Sequence, residues 1–286
     1  MSWYIQVPVV SMKRAVRSLP ITNKEQETII KYSMSANPSP LLDYLDDMMQ
    51  KLLAPGQIDY NQLTMIDKLM ILLRLRAASV SPVVKLTIKD DNDDKGNNIT
   101  VQLVQLLESL EKNYIDPVEI VDPTTEARVI IHYPKNLTYE SDRDFIQSLV
   151  VDNLNIPMSQ LTDDQFNAIL ENFSPRFNRQ LQRAKNSIIE TINRIVFIPS
   201  IANPTGESIS LDVEELPRFI KLVFSETLGN HIELMYVFVK VIGMSLSDIK
   251  SLTPLDTQLY YKMFLKEQSE KEKAIATQKQ KQRSVR

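Results

Sequence analysis

Apolar residues recur at helical spacing along much of this chain. Residues 23–35 read as a helix: Ile29, Ile30 and Tyr32 lie near one face, Thr22 or Asn23 can cap its start, and Pro38 and Pro40 stop it. Residues 41–53 follow as an amphipathic helix, with Leu42, Leu45, Met49 and Leu52 at i, i+3, i+7 and i+10. Ala54-Pro55-Gly56 ends it. Residues 63–78 are apolar most of the way round, the pattern of a buried central helix. The period then changes. Residues 83–89 and 99–103 predict a hairpin around DDNDDKGNN, a turn-rich and strongly acidic loop. Residues 103–112 fit either a helix or a strand, and 127–132 are a further β-branched run ahead of Tyr133-Pro134.

From Asp142 onward the pattern is helical again, over 142–154, 162–173 and 175–197, with Thr162-Asp163-Asp164-Gln165 as a capping box. Asn203-Pro204 and Gly206 mark a linker over 199–208. Helices are then expected over 212–225, 230–242 and 247–250, and from Asp256 into the tail. Ser245 and Thr253 serve as caps, the latter with Pro254 at the first helical position. The fold class is α+β, mainly α-helical, with N-terminal helices, a small antiparallel hairpin or sheet, and a C-terminal helical domain. Its expected parts are an arm over 1–20, a helix-plus-hairpin domain over 21–140, a helical domain over 141–265 and a charged tail over 266–286. A length of 286 residues suits two domains.

In the arm, Trp3 and Tyr4 lead into Ile5, Val7, Val9 and Val10 around Pro8. The alternation suits an edge strand or an extended segment laid on a partner. A strand tucked on its own domain, or a loose terminus, fits the same residues.

Composition narrows the classes. Hydrophobic residues make up 43% of the chain, enough to build cores. A net charge of −3 leaves no footprint for nucleic acid. The charge is unevenly placed: the last 21 residues carry seven Lys/Arg against three Glu, net +4, which leaves −7 on residues 1–265. That tail reads as a solvated helix extension or a disordered segment, with a docking tail for an acidic partner as the alternative. Cysteine is absent, so disulfides, thiolate zinc sites and cysteine nucleophiles are excluded together. The five glycines are isolated from one another, which argues against phosphate-cradling loops. The apolar N-terminus precedes Lys13, Arg14 and Arg17, the reverse of a signal peptide, and no run reaches the ~18 apolar residues of a membrane span. A soluble, unsecreted chain is expected.

Candidate chemistry is sparse. His132 and His231 each lack a second histidine at i+4, so no metal site is expected. The acidic loop fails as a calcium loop in both registers. Counting from Asp91 puts Lys95 at position 5 and Gln102 at 12; counting from Asp90 puts Lys95 at 6 and Val101 at 12. The pairs Asp46/Asp47, Asp163/Asp164 and Glu214/Glu215 suit first helical turns or exposed faces. The serines lack a nucleophile-elbow context. No catalytic, cofactor-binding or metal-ligating residue is therefore assigned, no cofactor is implied, and no enzyme is expected.

Arg74 and Arg76 are different, because they sit in the apolar helix LLRLRAAS. Two positions apart is ~200° around the axis, so they face different environments. One is expected to pair, buried or at an interface, with a carboxylate such as Asp67, and the other to reach the surface. Arginine's planar fork suits such pairs. An internal salt bridge and a subunit contact both fit. The partner-binding candidates are thus Trp3, Tyr4, Arg74 and Arg76, with the hairpin tip and the basic tail as further surfaces.

The order LPITNKEQETIIKYS, a Leu/Asp-rich helix, IDYNQLTMIDKLMILLRLRAASVSPVVKLTI, an acidic hairpin and EARVIIHYPKNLTYES resembles the baseplate hub subunit family of T-even-type contractile-tailed bacteriophages. Leu63, Thr64, Asp67, Leu72, Leu73, Arg74, Arg76, Ser79 and Val80 fall on the family's pattern. The likeness covers about residues 18–140, and the helical remainder is compatible but less specific. It implies a non-enzymatic hub component or hub-assembly factor in the host cytoplasm during assembly, with a place in the virion's tail baseplate left open. A transient tail-assembly chaperone that binds the tape-measure protein and is absent from the virion shares the same residues. The implied partners are other tail and baseplate hub proteins, with neither nucleic acid nor membrane, and with a homo-oligomer left open. An enzyme built from dispersed Asp, Glu, Arg and His residues is the remaining alternative. Some relatives carry a CxxC pair in the hairpin, suggestive of a zinc ribbon. Residues 90–98 stand there instead, without cysteine, so a zinc role does not carry over.

Overall fold

A computed structural model of the chain describes residues 3–88, 97–139, 141–151, 154–156, 158, 161–195, 216–224 and 228–284. Residues 90–96 of the acidic loop, the expected linker over 199–208 and Glu214/Glu215 lie outside that set.

The fold begins with a hairpin. Strand β1 (Ile5–Val9) pairs antiparallel with β2 (Arg14–Ser18), in a register that sets Val7 opposite Val16 and Pro8 opposite Ala15. The turn between them closes on Lys13 in the left-handed region, φ 50°. Ile5, Val7 and Val9 point inward and are buried. The outer edge of β2 is covered by the segment after α2 (Ser39–Leu52): Leu19 N–H donates to the Leu52 carbonyl and Ala54 N–H to that of Arg17. Of the readings open for residues 1–20, a strand packed on its own chain therefore describes 5–18.

Helix α1 (Asn23–Ser33) starts at Thr22 with Glu25 closing a capping box, and α3 (Met65–Ser79) starts at Thr64 with Asp67 closing another. In α3 both faces are apolar and thirteen of its residues are buried, because it is surrounded. β1, α2 and α4 (Leu103–Lys112) all pack against it. Lys68, buried in this helix, reaches Asp46 of α2 at 2.8 Å and lies over the Tyr60 ring. The hairpin β3 (Val83–Ile88) and β4 (Asn97–Gln102) follows α3 and pairs in register Val83 to Gln102. The ambiguous stretch after it is helical: Leu103, Leu106, Leu107 and Leu110 recur at i, i+3, i+4 and i+7, and all four are buried.

An antiparallel meander comes next, in sequence order: β5 (Val118–Val121), β6 (Arg128–Ile131), β7 (Ile146–Val151) and β8 (Leu154–Ile156). This corrects the helix expected over 142–154. Only Asp142–Phe145 turns helically, as a 3-10 turn, before the chain extends. The segment IQSLVV is rich in β-branched residues, and pairing with β6 buries Ile146 and Leu149 on one face. A sheet surface already in place outweighs weak helical spacing.

The described residues beyond the sheet are mainly helical: α5 (Asp163–Glu171), α6 (Pro175–Ile195), α7 (Leu216–Phe224), α8 (Leu228–Val237), α9 (Leu246–Ser251) and α10 (Pro254–Ser284). The chain is α+β and mainly helical. One buried cluster runs from Ile5 to Phe224, across the boundary expected at 140/141. Asp122 pins that crossing. Fully buried after β5, its carboxylate accepts from Ser174 N–H at 3.2 Å and Ser174 Oγ at 2.8 Å, ahead of α6. Burial pushes its pKa up, but the bonds from Ser174, Thr124 and Thr125 outweigh that and hold it below the usual value.

Candidate functional site

The arginines of α3 separate as their spacing requires. Arg76 is buried and Arg74 is half-buried. Arg76 Nε donates to the Val223 carbonyl at 3.1 Å, in the last turn of α7, where a cation suits the helix's negative end. Its Nη1 reaches the Ser81 carbonyl at 3.4 Å. Arg74 Nε reaches the Gln6 carbonyl of β1, also at 3.4 Å. Both thus make bonds to backbone within the chain.

The expected pairing with Asp67 does not form. Asp67 lies seven and nine residues before the two arginines, about 10–13 Å along one helix. Its buried carboxylate instead accepts from Ser11 N–H at 3.0 Å, Ser11 Oγ at 2.6 Å, Thr64 N–H at 3.0 Å and Thr64 Oγ1 at 2.7 Å. One side chain therefore caps α3 and holds the β1–β2 turn against it.

Beside this junction lies a polar cleft of about 730 Å³, lined by Ser11, Gln62, His132, Lys135, Arg143 and Asp144 among others. His132 Nε2 and Tyr114 Oη are 2.8 Å apart, and Tyr114 stacks on Tyr133 with centroids 5.5 Å apart. Burial pushes the His132 imidazole below its ordinary pKa, against the pull of Asp67 and Asp116. Burial pushes the Tyr114 phenol up, and that of Tyr133 up to about 12. The contact joins His132 to Tyr114, and burial shifts both groups toward their uncharged forms. Among the described residues, no group of three His, Asp or Glu side chains is placed to hold a metal ion. No described helix is long and apolar enough to cross a membrane.

The surface says more than the clefts. Trp3 and Tyr4 stand about half exposed ahead of β1. A second apolar surface, which sequence reasoning did not single out, lies in the C-terminal helices. Helix α8 runs into a π-helical turn, Phe238–Ile242, which stops at Gly243 with φ 83°. Across from it runs α10. Between them is a groove of about 730 Å³, walled by Phe238, Ile242, Met244 and Leu252 on one side and by Tyr260, Met263 and Phe264 on the other. The signal was present in FVKVIGM and LYYKMFL, but apolar runs of that length do not tell a buried face from an exposed one.

The corner between α9 and α10 is fastened to α1. Asn23 N–H donates to the Leu252 carbonyl at 2.8 Å, and Asn23 Nδ2 donates to the Ile249 carbonyl at 2.9 Å and to Thr257 Oγ1 at 2.6 Å. Glu27 bridges Lys31 at 2.6 Å and Lys250 at 2.9 Å, and hydrogen bonds from these lysines lower its pKa to about 2. Ile249, Thr253 and Thr257 are buried at this corner. The groove is therefore built on a fixed support.

Residues 4–221, about three quarters of the chain, match the family model described as T4 bacteriophage base plate protein. No curated protein and no solved structure matches the chain.

Proposed function

The chain belongs to the T4 bacteriophage base plate protein family, and on that premise we propose that it is a hub component or hub-assembly factor that works by binding other tail proteins. The family match carries the baseplate assignment. The hub reading is supported by the segment over residues 18–140 that resembles hub subunits, with Leu63, Thr64, Asp67, Arg74 and Arg76 on its pattern. In this reading the protein assembles in the host cytoplasm and stays in the tail of the virion. It acts through contact surfaces rather than through turnover of a substrate. Trp3 and Tyr4 are offered to partners, since large exposed aromatics are the side chains interfaces use most. Arg74 and Arg76 support those contacts by holding β1 and α7 on the central helix.

The test is co-purification of the tagged full chain from infected cells, with mass spectrometry of its partners and of finished particles. Recovery with hub proteins, and a fixed copy number in particles, is the expected result. Recovery with the tape-measure protein but absence from particles would favour a transient chaperone. Recovery with no tail protein would overturn both.

A further inference from the structure

We propose that residues 228–284 form a clasp, which opens off α1 and α3 as one piece while the body that ends at Phe224 keeps its fold. The motion is a property of the chain itself, whatever tail protein it binds.

The core shows the division. The buried cluster that runs from Ile5 to Phe224 takes no described residue from α8, the π-helical turn, α9 or α10, and neither do the half-buried hydrophobics packed against it. Four buried apolar side chains stand outside that cluster: Ile30, Val80, Phe238 and Ile249. Phe238 and Ile249 belong to the clasp. Ile30 lies on α1 and Val80 caps the end of α3, and these are the helices against which α8, α9 and α10 pack. The clasp thus meets the body through a small satellite of buried apolar groups, separate from the main core. Most of its other large apolar side chains add no burial. Of sixteen that stand exposed among the described residues, nine lie between Leu228 and Ser284.

The rest of the junction is polar. Asn23, Gln26, Glu27 and Ile30 fall at i, i+3, i+4 and i+7, on one face of α1. Asn23 bonds the Leu252 and Ile249 carbonyls and Thr257 Oγ1, and Glu27 pairs with Lys250. Gln26, Thr253 and Thr257 are buried beside them. These bonds fix the corner in the closed form. On opening, each is exchanged for a bond to water, so its net contribution is a fraction of its strength. A segment with few buried apolar contacts and a polar seat is the part of a fold that opens first.

Helix α1 stays behind when the clasp leaves. Its Ile29 belongs to the main cluster, and the helix packs on α2 and α7 of the body. One helix therefore serves both parts, with an apolar side toward the body and a mainly polar side toward the clasp.

Native-state hydrogen exchange of the full chain tests this, read by mass spectrometry across low concentrations of guanidinium chloride. The amides of α8, α9 and α10 as far as Leu265 should share one opening. It should grow with denaturant and exchange roughly a hundredfold faster than the amides of α3. Equal protection in the clasp and in α3 would overturn the proposal, because the chain would then open only as a whole. So would separate values for α8, α9 and α10 without denaturant dependence, the mark of single helices fraying. Asn23→Ala removes two of the latch's bonds and should speed exchange in the clasp about tenfold, with the clasp still opening ahead of α3. Glu27→Gln, a milder change at the rim, should act in the same direction by roughly threefold. Exchange unchanged in both variants would overturn the latch.

Discussion

At the scale of residues, a few polar side chains fasten elements that the apolar pattern only outlines. Asp67 accepts four hydrogen bonds and serves two elements at once. Asp67→Ala leaves the buried donors of Thr64 and the half-buried ones of Ser11 unmatched, and a buried unmatched group costs roughly 1–3 kcal/mol. Chemical denaturation should show a loss in that range, and a change under half of its lower limit would contradict the assigned role. Glu27 has a folded pKa of about 2, below its ordinary value of 4.5, because Lys31 and Lys250 hydrogen-bond its charged form. A depressed carboxyl contributes stability that is present above the ordinary value and disappears as pH falls through the folded one. Glu27→Gln should therefore lower stability at pH 7, by up to about 1 kcal/mol for a partly exposed pair. The gap between the two proteins should close between pH 4.5 and 2. A gap independent of pH would show that the charge is not what matters. The caps at Thr22, Thr162, Ser245 and Thr253 were legible in the sequence, because capping acts over three residues. The partner of Arg76 was not: Val223 is 147 residues away, and local spacing carries no information about it.

At the scale of elements, α3 is the support on which the N-terminal hairpin, α2 and α4 converge. Leu72 at its centre is fully buried, so Leu72→Ala should cost roughly 2–5 kcal/mol, read as a lower denaturation midpoint at unchanged slope. The distal part of α10 is the opposite case. From Lys266 to Thr277 nearly every residue is exposed, and the helix gains nothing from the core there. A chain ending at Leu265 should melt within about 0.5 kcal/mol of the full chain, and a larger loss would mean that this stretch packs on the body. Long helices with a clear stripe were readable from spacing alone. The strand β7 was not, since IQSLVV is short and its apolar residues satisfy both periods; its partner β6 decides the matter. The hairpin of residues 5–18 was half legible. The alternation of Ile5, Val7 and Val9 showed a strand, but not whether its own chain or another would cover it.

At the scale of the whole molecule, the family was readable from the segment around α3, since the features that mark it are the cap, the apolar helix and the following strand that build the core. The apolar groove of the C-terminal helices was not readable, because exposure is a property of the assembled fold. Charge follows the same division. The body is acidic and the end of α10 is basic, so association through these regions should weaken as salt rises. The most direct measurement is a phage with a stop codon early in the gene for this chain, with lysates viewed by electron microscopy. A baseplate component predicts tails without baseplates, or no tails, and recovery when the chain is supplied in trans. Complete, infectious tailed particles made without it would contradict the account.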